Sequence, residues 1–356
     1  MPKEFQTLAE LLDHGFDTVI DVRSPAEYAE DHLPGAINLP VLDNEERARV
    51  GTIYKQESPF RARKIGAALV FHNAARHIET VLQDKTGGWR PLVYCWRGGQ
   101  RSGSFAWMLS QIGWRADSIK GGYQTYRRLV YRVLYEGRLP HRLVLLDGYT
   151  GTAKTDLLHI LDRRGVQVLD LEGLAAHRGS LLGEMAEPQP SQKAFETALV
   201  CALSRFDPAR PVLVEAESSK VGERMVPPAI WAAMKAAPRI EVEAPLEART
   251  AYLVRAYEDI LSDSERLYAK LDLLRAHRGH AVVDGWFERI AEGDKAGLTR
   301  GLMVDHYDLA YAKSRKTIGA EVLARVVAES LDGEGLEAAA SEIERTLAVW
   351  DAATRT

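Results

Sequence analysis

The sequence predicts an α/β protein of two domains with a mainly helical C-terminal region. Short apolar runs recur along the first part of the chain, and each leads through a loop into helical periodicity. Two of these strand–loop–helix units, Leu92–Leu109 and Leu143–Leu161, carry loops rich in glycine and cationic side chains. Beyond Ala244 only helical periodicity is legible. With 356 residues the chain is long enough for two cores. The expected boundaries are 1–136 for the first domain, 137–140 for a linker (Gly137 to Pro140), 141–243 for the second α/β domain, and 244–356 for a helical region packing on it.

Composition narrows the classes. No apolar run approaches a membrane span, so no membrane partner is expected. The opening MPKEFQTLAELLDHG has no cationic lead into an apolar core, so no signal peptide is expected and the location is read as cytoplasmic. The two cysteines, Cys95 and Cys201, exclude a disulfide scaffold and fit a reducing compartment. A net charge of -4 leaves nucleic-acid binding to a local patch.

In order, Phe5–Leu12 reads as a helix and Thr18–Ile20 as a strand ending in Asp21-Val22-Arg23. Ser24-Pro25-Ala26-Glu27 starts the next helix: serine caps, proline takes the first turn, glutamate closes a capping box. A turn, Asp31 to Pro40, follows. Arg61, Arg63 and Lys64 precede a helix over Ile65–Leu82, whose expected buried stripe is Leu69, Val70, Ile78 and Val81. For that cationic group a solvated helix start and a phosphate contact both stay open.

The strand Leu92-Val93-Tyr94 runs into Cys95, then Trp96, Arg97, Gly98, Gly99, Gln100, Arg101 and Ser102, with a helix over Gly103–Leu109. Amides of such a turn, the positive end of a helix and two arginines all favour thiolate over thiol, and thiolate is the nucleophile. Further on, Arg127, Arg128, Arg132, Arg138 and Arg142 interleave with Tyr123, Tyr126, Tyr131 and Tyr135. That pattern suits RNA, with arginine on phosphates and rings on bases. Taken alone it better suits an amphipathic helix ending a domain, with tyrosine inside and arginine outside.

Leu143–Asp147 is a second buried strand, followed by Gly148-Tyr149-Thr150-Gly151-Thr152-Ala153-Lys154-Thr155 and a helix. This is the P-loop layout, in which amides wrap a phosphate, Lys154 adds a point charge and Thr155 can hold a magnesium ion. Ala153 stands where the last glycine belongs; a negative φ there would be harmless, a positive one strained. Asp170, Glu172, Glu215 and Glu217 end the next strands, where carboxylates orient a metal or its waters or simply face solvent. His177 and Arg178 fall in the loop where P-loop kinases bind a second substrate. In the C-terminal region Ala248–Leu261, Glu265–His277 and Ala320–Glu329 read as helices. Arg249, Tyr252, Arg255, Arg315 and Lys316 there could meet RNA or solvent.

Asp21, Val22, Arg23, Glu27, Tyr28, His32, Gly35, Ala36, Asn38 and Pro40, with the Cys95 loop, resemble the rhodanese family; Asp31 stands where that family usually has glycine. The resemblance implies an α/β domain whose cysteine carries a chalcogen as a persulfide or perselenide. The loop is C-x5-R, one residue longer than in thiosulfate-acting rhodaneses and the length of rhodanese-like phosphatases, which implies a phosphorus oxyanion. Seven segments in order, VGTIYK, YCWRGGQRS, GGYQTYRR, GYTGTAKT, DLEGLAAHRGS, QPSQKAFE and VEAESSKVG, resemble the tRNA 2-selenouridine synthase family from about Asp21 to Val221.

That resemblance implies a transferase acting on wobble 2-thiouridine (U34) of tRNAs for Lys, Glu and Gln. Its steps would be S-geranylation with geranyl diphosphate, then replacement of the geranylthio group by selenium from selenophosphate. Cys95 would be catalytic, with selenophosphate on Arg97, Gly98, Gly99, Arg101 and Ser102. The diphosphate would sit on Gly148, Thr150, Gly151, Thr152, Lys154 and Thr155. Asp170 and Glu215 would orient a metal or its shell, His177 and Arg178 would meet substrate, and Arg127, Arg128 and Arg132 the anticodon stem-loop. No tightly bound cofactor or protein partner is implied, and a magnesium ion is allowed. The alternatives are a rhodanese-like sulfurtransferase or phosphatase fused to a P-loop kinase, and an RNA-binding module with a relic thiol.

Overall fold

The computed structural model describes residues 2–315 and 321–354. The chain divides into two compact units, one running to Gly137 and taking in Pro190–Ser204, the other comprising Arg138–Gln189 and the chain from Arg205 onward.

The first unit is built on a parallel sheet of order β2-β1-β3-β4, from β1 (Thr18–Asp21), β2 (Ile37–Asn38), β3 (Pro91–Tyr94) and β4 (Asp117–Ser118). Its helices are α1 (Leu8–Leu12), α2 (Pro25–Glu30), α3 (Asn44–Gln56), α4 (Pro59–Thr80), α5 (Gln100–Ile112) and α6 (Gly122–Tyr131), the last continuing as a π-helical turn, Arg132–Glu136. Ser24 and Glu27 close the expected capping box with Pro25 in the first turn. The α4 stripe holds at Val70, with Leu69 and Ile78 half-buried against the same core, and differs elsewhere. Ala62, Gly66, Val70 and Ala74 are buried, whereas Val81 is 52% exposed beyond the helix end. The reason is close packing: a Cβ on Gly66 would lie 3.3 Å from Val50 of α3, so small residues face that helix.

The second unit carries a parallel sheet of order β11-β10-β5-β7-β6. Its strands are β5 (Arg142–Gly148), β6 (Gln167–Leu169), β7 (Pro211–Glu215), β10 (Arg239–Glu243) and β11 (Val322–Val327), with a small antiparallel ribbon of β8 (Lys220–Val221) and β9 (Arg224–Met225). Central β5 is buried from Leu143 to Gly148, as a strand covered on both faces must be. Helices α7 (Lys154–Arg163), α8 (Leu171–Ala175), α10 (Pro228–Ala236) and α11 (Leu246–Ala256) follow strands. A helical cluster then runs through α12 (Glu258–Leu261), α13 (Ser264–Asp272), α14 (Arg275–Arg278), α15 (His280–Glu292), α16 (Lys295–Leu302), a π-helical turn (Met303–Tyr307) and α17 (Asp308–Arg315), and α18 (Gly333–Thr354) ends the chain.

One expected helix is corrected. Of Ala320–Glu329, Ala320 lies outside the described residues, and Val322–Val327 is an edge strand paired in parallel with β10. The run Val-Leu-Ala-Arg-Val-Val is rich in β-branched residues, and pairing with β10 overrides its helical spacing. A second finding concerns α9 (Gln192–Arg205). It lies in sequence between β6 and β7, yet Pro190–Ser204 belongs to the first unit.

Candidate functional site

Cys95 sits at the carboxyl end of β3, directly before the loop that feeds α5. Its neighbours are held by backbone: the N–H of Tyr123 donates to Cys95 O at 2.8 Å and that of Gln124 to Trp96 O at 3.1 Å. Gly98 adopts φ +64, and a Cβ there would stand 2.5 Å from Ile119 O. Gly122 is tighter still, with a Cβ falling 2.2 Å from Cys95 O. Only glycines permit so close a turn. The thiol is 3% exposed and part of the apolar core, and the Ser102 hydroxyl donates to its sulfur at 3.2 Å. Among the described residues the N–H groups of Trp96, Arg97, Gly98 and Gly99 donate to no protein acceptor. Unmatched amides beside a sulfur that already receives a hydrogen bond make a place for negative charge.

The two arginines differ. Arg97 is exposed and forms no ion pair among the described residues. Arg101 donates to Glu27 Oε2 at 2.9 Å, and burial notwithstanding, Arg101, then the Ser24 N–H and then Arg47 hold the Glu27 carboxyl below its usual range. Arg101 is thus preset beside the loop by a carboxylate, with its charge shared.

The Arg-Tyr stretch resolves by residue. Tyr123 and Tyr126 are buried. Arg127 pairs with Glu196 of α9 and at 3.5 Å with Asp31, while Tyr135 donates to Glu196 at 2.7 Å. Arg128 is exposed and donates to Thr125 Oγ1 at 3.0 Å; Arg132 is exposed. Arg127 therefore belongs to the internal framework, and Arg128 and Arg132 remain free to face a polyanion. The QPSQKAFE segment supplies Glu196, a role the sequence did not signal. Of the other cations, Arg61 pairs with Glu57 and Arg249 with Asp308. The side chain of Arg315, and Lys316 entirely, lie outside the described residues.

The second loop joins β5 to α7. Gly148 ends the strand, where a Cβ would be 2.7 Å from Val242 O. Gly151 has φ +85, and a Cβ there would meet Leu253 at 2.8 Å. Thr152 folds inward, its hydroxyl donating to Tyr149 O at 2.9 Å. Lys154 reaches back over the loop to Gly148 O at 3.0 Å. Arg249 holds Thr150 O at 3.1 Å from outside. The N–H groups of Thr150, Gly151 and Ala153 donate to no acceptor among the described residues. Ala153 adopts φ +56, so the strained alternative is the one realised, with its methyl packed in the core.

A cavity of about 960 Å³ opens from this loop, lined on one side by Thr150–Asp156 and on the other by Glu172, His177, Arg178, Glu217 and Tyr257. The acids are not arranged as their order suggests. Asp170 caps α8, accepting from Gly173 N at 2.7 Å, and meets His159 at 3.1 Å. Glu215 accepts the Glu172 N–H at 2.6 Å. Glu172 itself takes the Thr155 hydroxyl at 3.1 Å, so Glu172 and Glu217, not Asp170, face Lys154 and Thr155. Burial raises Glu172, with Lys154 opposing; burial and then the Glu172 charge push Glu217 up to about 8. Burial first, then Asp170, holds Glu215 well above the usual range. The two facing carboxyls thus keep a proton between them at neutral pH. His177 is buried and lowered by burial, accepting the Gly179 N–H at 3.1 Å, and Arg178 pairs with Asp259 over the Tyr257 ring. Among the described residues no group of three His, Cys, Asp or Glu is arranged to hold a metal.

The family model described as "tRNA 2-selenouridine synthase AAA domain" matches residues 141–280, and "Rhodanese-like domain" matches 4–129. A tRNA 2-selenouridine synthase of Hahella chejuensis is 37% identical over 83% of this chain and 84% of its own. Another, of Nitrosomonas europaea, is 36% identical over 67% of this chain, and the match spans only 63% of that relative's length. A solved rhodanese-related protein of Thermoplasma volcanium covers 35% of this chain and 92% of its own, at 19% identity and a TM-score of 0.23. Both domain families in sequence order, and a relative matched across most of both chains, place this chain in the tRNA 2-selenouridine synthase family.

Proposed function

We propose that this chain converts 2-thiouridine at the wobble position (U34) of tRNAs for Lys, Glu and Gln into 2-selenouridine, by S-geranylation and then selenium transfer. The observation that carries the reading is that one chain holds two loops of unmatched backbone N–H groups, one beside a thiol and one beside a lysine. A thiocarbonyl carbon is a poor electrophile and sulfide a poor leaving group. Alkylating the sulfur creates an isothiourea-like carbon and a thiol leaving group.

In the first step the thiouridine sulfur forms a bond to C1 of the geranyl group, and the C–O bond breaks with its electrons leaving on diphosphate. The amides of Thr150, Gly151 and Ala153 with Lys154 would stabilise that departing charge, as donors preset before reaction do, whereas the Thr152 N–H is held by Tyr149 O at 3.2 Å. Thr155 and Glu172 offer a hydroxyl and one carboxylate, a set that suits magnesium, which keeps waters and takes its remaining ligands from phosphates. When bound it would supply further charge neutralisation. In the second step selenium displaces the geranylthio group. Cys95 is the nucleophile toward the phosphorus of selenophosphate, with Gly98, Gly99, Arg97, Arg101 and Ser102 around the anion. An S–P bond forms, and the P–Se bond breaks with its electrons leaving on selenium. That selenide displaces the geranylthio group as a thiolate, and water hydrolyses the S–P bond to release phosphate. Arg128 and Arg132 are the arginines we assign to the anticodon stem-loop phosphates.

The test separates the steps. Lys154→Ala should lose geranylation yet still selenate pre-geranylated tRNA, and Cys95→Ser should accumulate geranylated tRNA. Cys95→Ser that selenates at the normal rate, or Lys154→Ala that geranylates normally, overturns the corresponding assignment.

A further inference from the structure

Next to the phosphate loop lies a second, smaller recess. It is lined by Leu182, Leu253, Leu261, Leu302 and Met303, with Thr150 of the loop on one wall. Its volume is about 30 Å³, room for roughly two water-sized spheres. Leu253, Tyr257, Tyr307, Ser180 and Thr150 line this recess and the 960 Å³ cavity alike, so the two adjoin. Tyr257 and Ser180 hydroxyls lie 3.4 Å apart, which leaves the tyrosine ring to the recess. Thr299 also contributes; its hydroxyl is buried with no partner among the described residues.

We propose that this recess takes the hydrocarbon end of a phosphorylated isoprenoid whose phosphates sit on the Gly148–Thr155 loop, and that Leu261, Leu302 and Met303 set the chain length it accepts. The inference rests on the diphosphate reading given above and adds where the tail goes. Three features carry it. An apolar void that water fills poorly opens beside an anion-binding loop, which selects a ligand polar at one end and hydrocarbon at the other. A nucleotide base would bring several polar atoms to a wall offering one unmatched hydroxyl, at a desolvation cost. The size admits the last branch of a short isoprenoid, the earlier carbons lying along the Tyr257 and Tyr307 rings in the larger cavity. Met303 is fully buried at the start of a π-helical turn, and its flexible side chain is suited to closing such a recess.

The experiment is equilibrium binding to the full chain of inorganic diphosphate and of dimethylallyl, geranyl and farnesyl diphosphates. Geranyl diphosphate should bind about tenfold tighter than the dimethylallyl compound, from roughly two buried carbons, and farnesyl diphosphate should bind less well than geranyl. Met303→Ala should improve farnesyl binding about tenfold while leaving inorganic diphosphate unchanged. Thr299→Val keeps the shape, removes the unmatched hydroxyl, and should tighten geranyl binding about threefold. If inorganic and geranyl diphosphates bind equally, the recess assignment is wrong although the phosphate loop stands. If none of the four compounds binds, the diphosphate reading fails and this proposal with it. Farnesyl binding unmoved in Met303→Ala, with geranyl binding unmoved in Thr299→Val, also overturns it.

Discussion

Gly151→Ala is the perturbation whose size follows most directly from the geometry of the phosphate loop. Gly151 has φ +85, and an added Cβ would lie 2.8 and 2.9 Å from Leu253 side-chain atoms and 3.2 Å from Arg249 O. Gly165 is a built-in control: its φ is +86, and nothing lies within 4 Å of an added Cβ. Both substitutions incur the left-handed backbone term, about 1–2 kcal/mol. Only Gly151→Ala adds a collision with a buried leucine and a carbonyl, about 1–3 kcal/mol more. Urea denaturation of the two variants should therefore differ by about 1–3 kcal/mol, with Gly151→Ala the weaker. Calorimetric titration with inorganic diphosphate should find binding lost in Gly151→Ala and kept in Gly165→Ala. Equal destabilisation, or intact diphosphate binding in Gly151→Ala, would refute the account of how this loop is shaped.

Other expectations follow from neighbouring geometry. Glu217 binds more proton folded than unfolded between about pH 4.5 and about 8, so its contribution to stability is full below the unfolded value and lost as pH rises through the folded one. The slope is at most about 1.4 kcal/mol per pH unit, and Glu217→Gln should flatten it in denaturation curves taken across that window. Glu196→Ala leaves Arg127 only its longer contact with Asp31 and removes the acceptor of the Tyr135 hydroxyl, and should destabilise the protein by about 1.5–3 kcal/mol in urea melts; Arg127→Met with Glu196→Leu should recover much of that. Ala153→Gly relieves a left-handed alanine but gives up a buried methyl and stiffens nothing in the unfolded chain, so stability should move by less than about 1 kcal/mol.

Much of the fold was legible because local signals agreed with tertiary need. The capping box at Ser24, the strand before Cys95 and the strand–loop–helix around Lys154 each combine a residue pattern with one geometry that satisfies it. The misses share another cause. Val322–Val327 has helical spacing on one reading and β-branched content on another, and only its neighbour β10 decides. Asp170 and Glu172 are two residues apart with similar strand-end positions, yet α8 begins between them and turns one into a cap and the other toward Thr155. Arg127 looks like its neighbours in sequence, and only the remote Glu196 shows that its charge is internal. Ala153 announced a departure from the motif, but the sign of its φ required the folded loop.

The central claim concerns order: alkylation at one loop must precede selenium delivery at the other. Mass spectrometry of the wobble nucleoside of thiolated tRNA tests it most directly, with geranyl diphosphate and selenophosphate added separately and then together. Geranyl diphosphate alone should give the S-geranyl nucleoside and stop, selenophosphate alone should leave thiouridine unchanged, and the two together should give selenouridine with loss of geranylthiol. Selenouridine formed from selenophosphate alone would contradict the account.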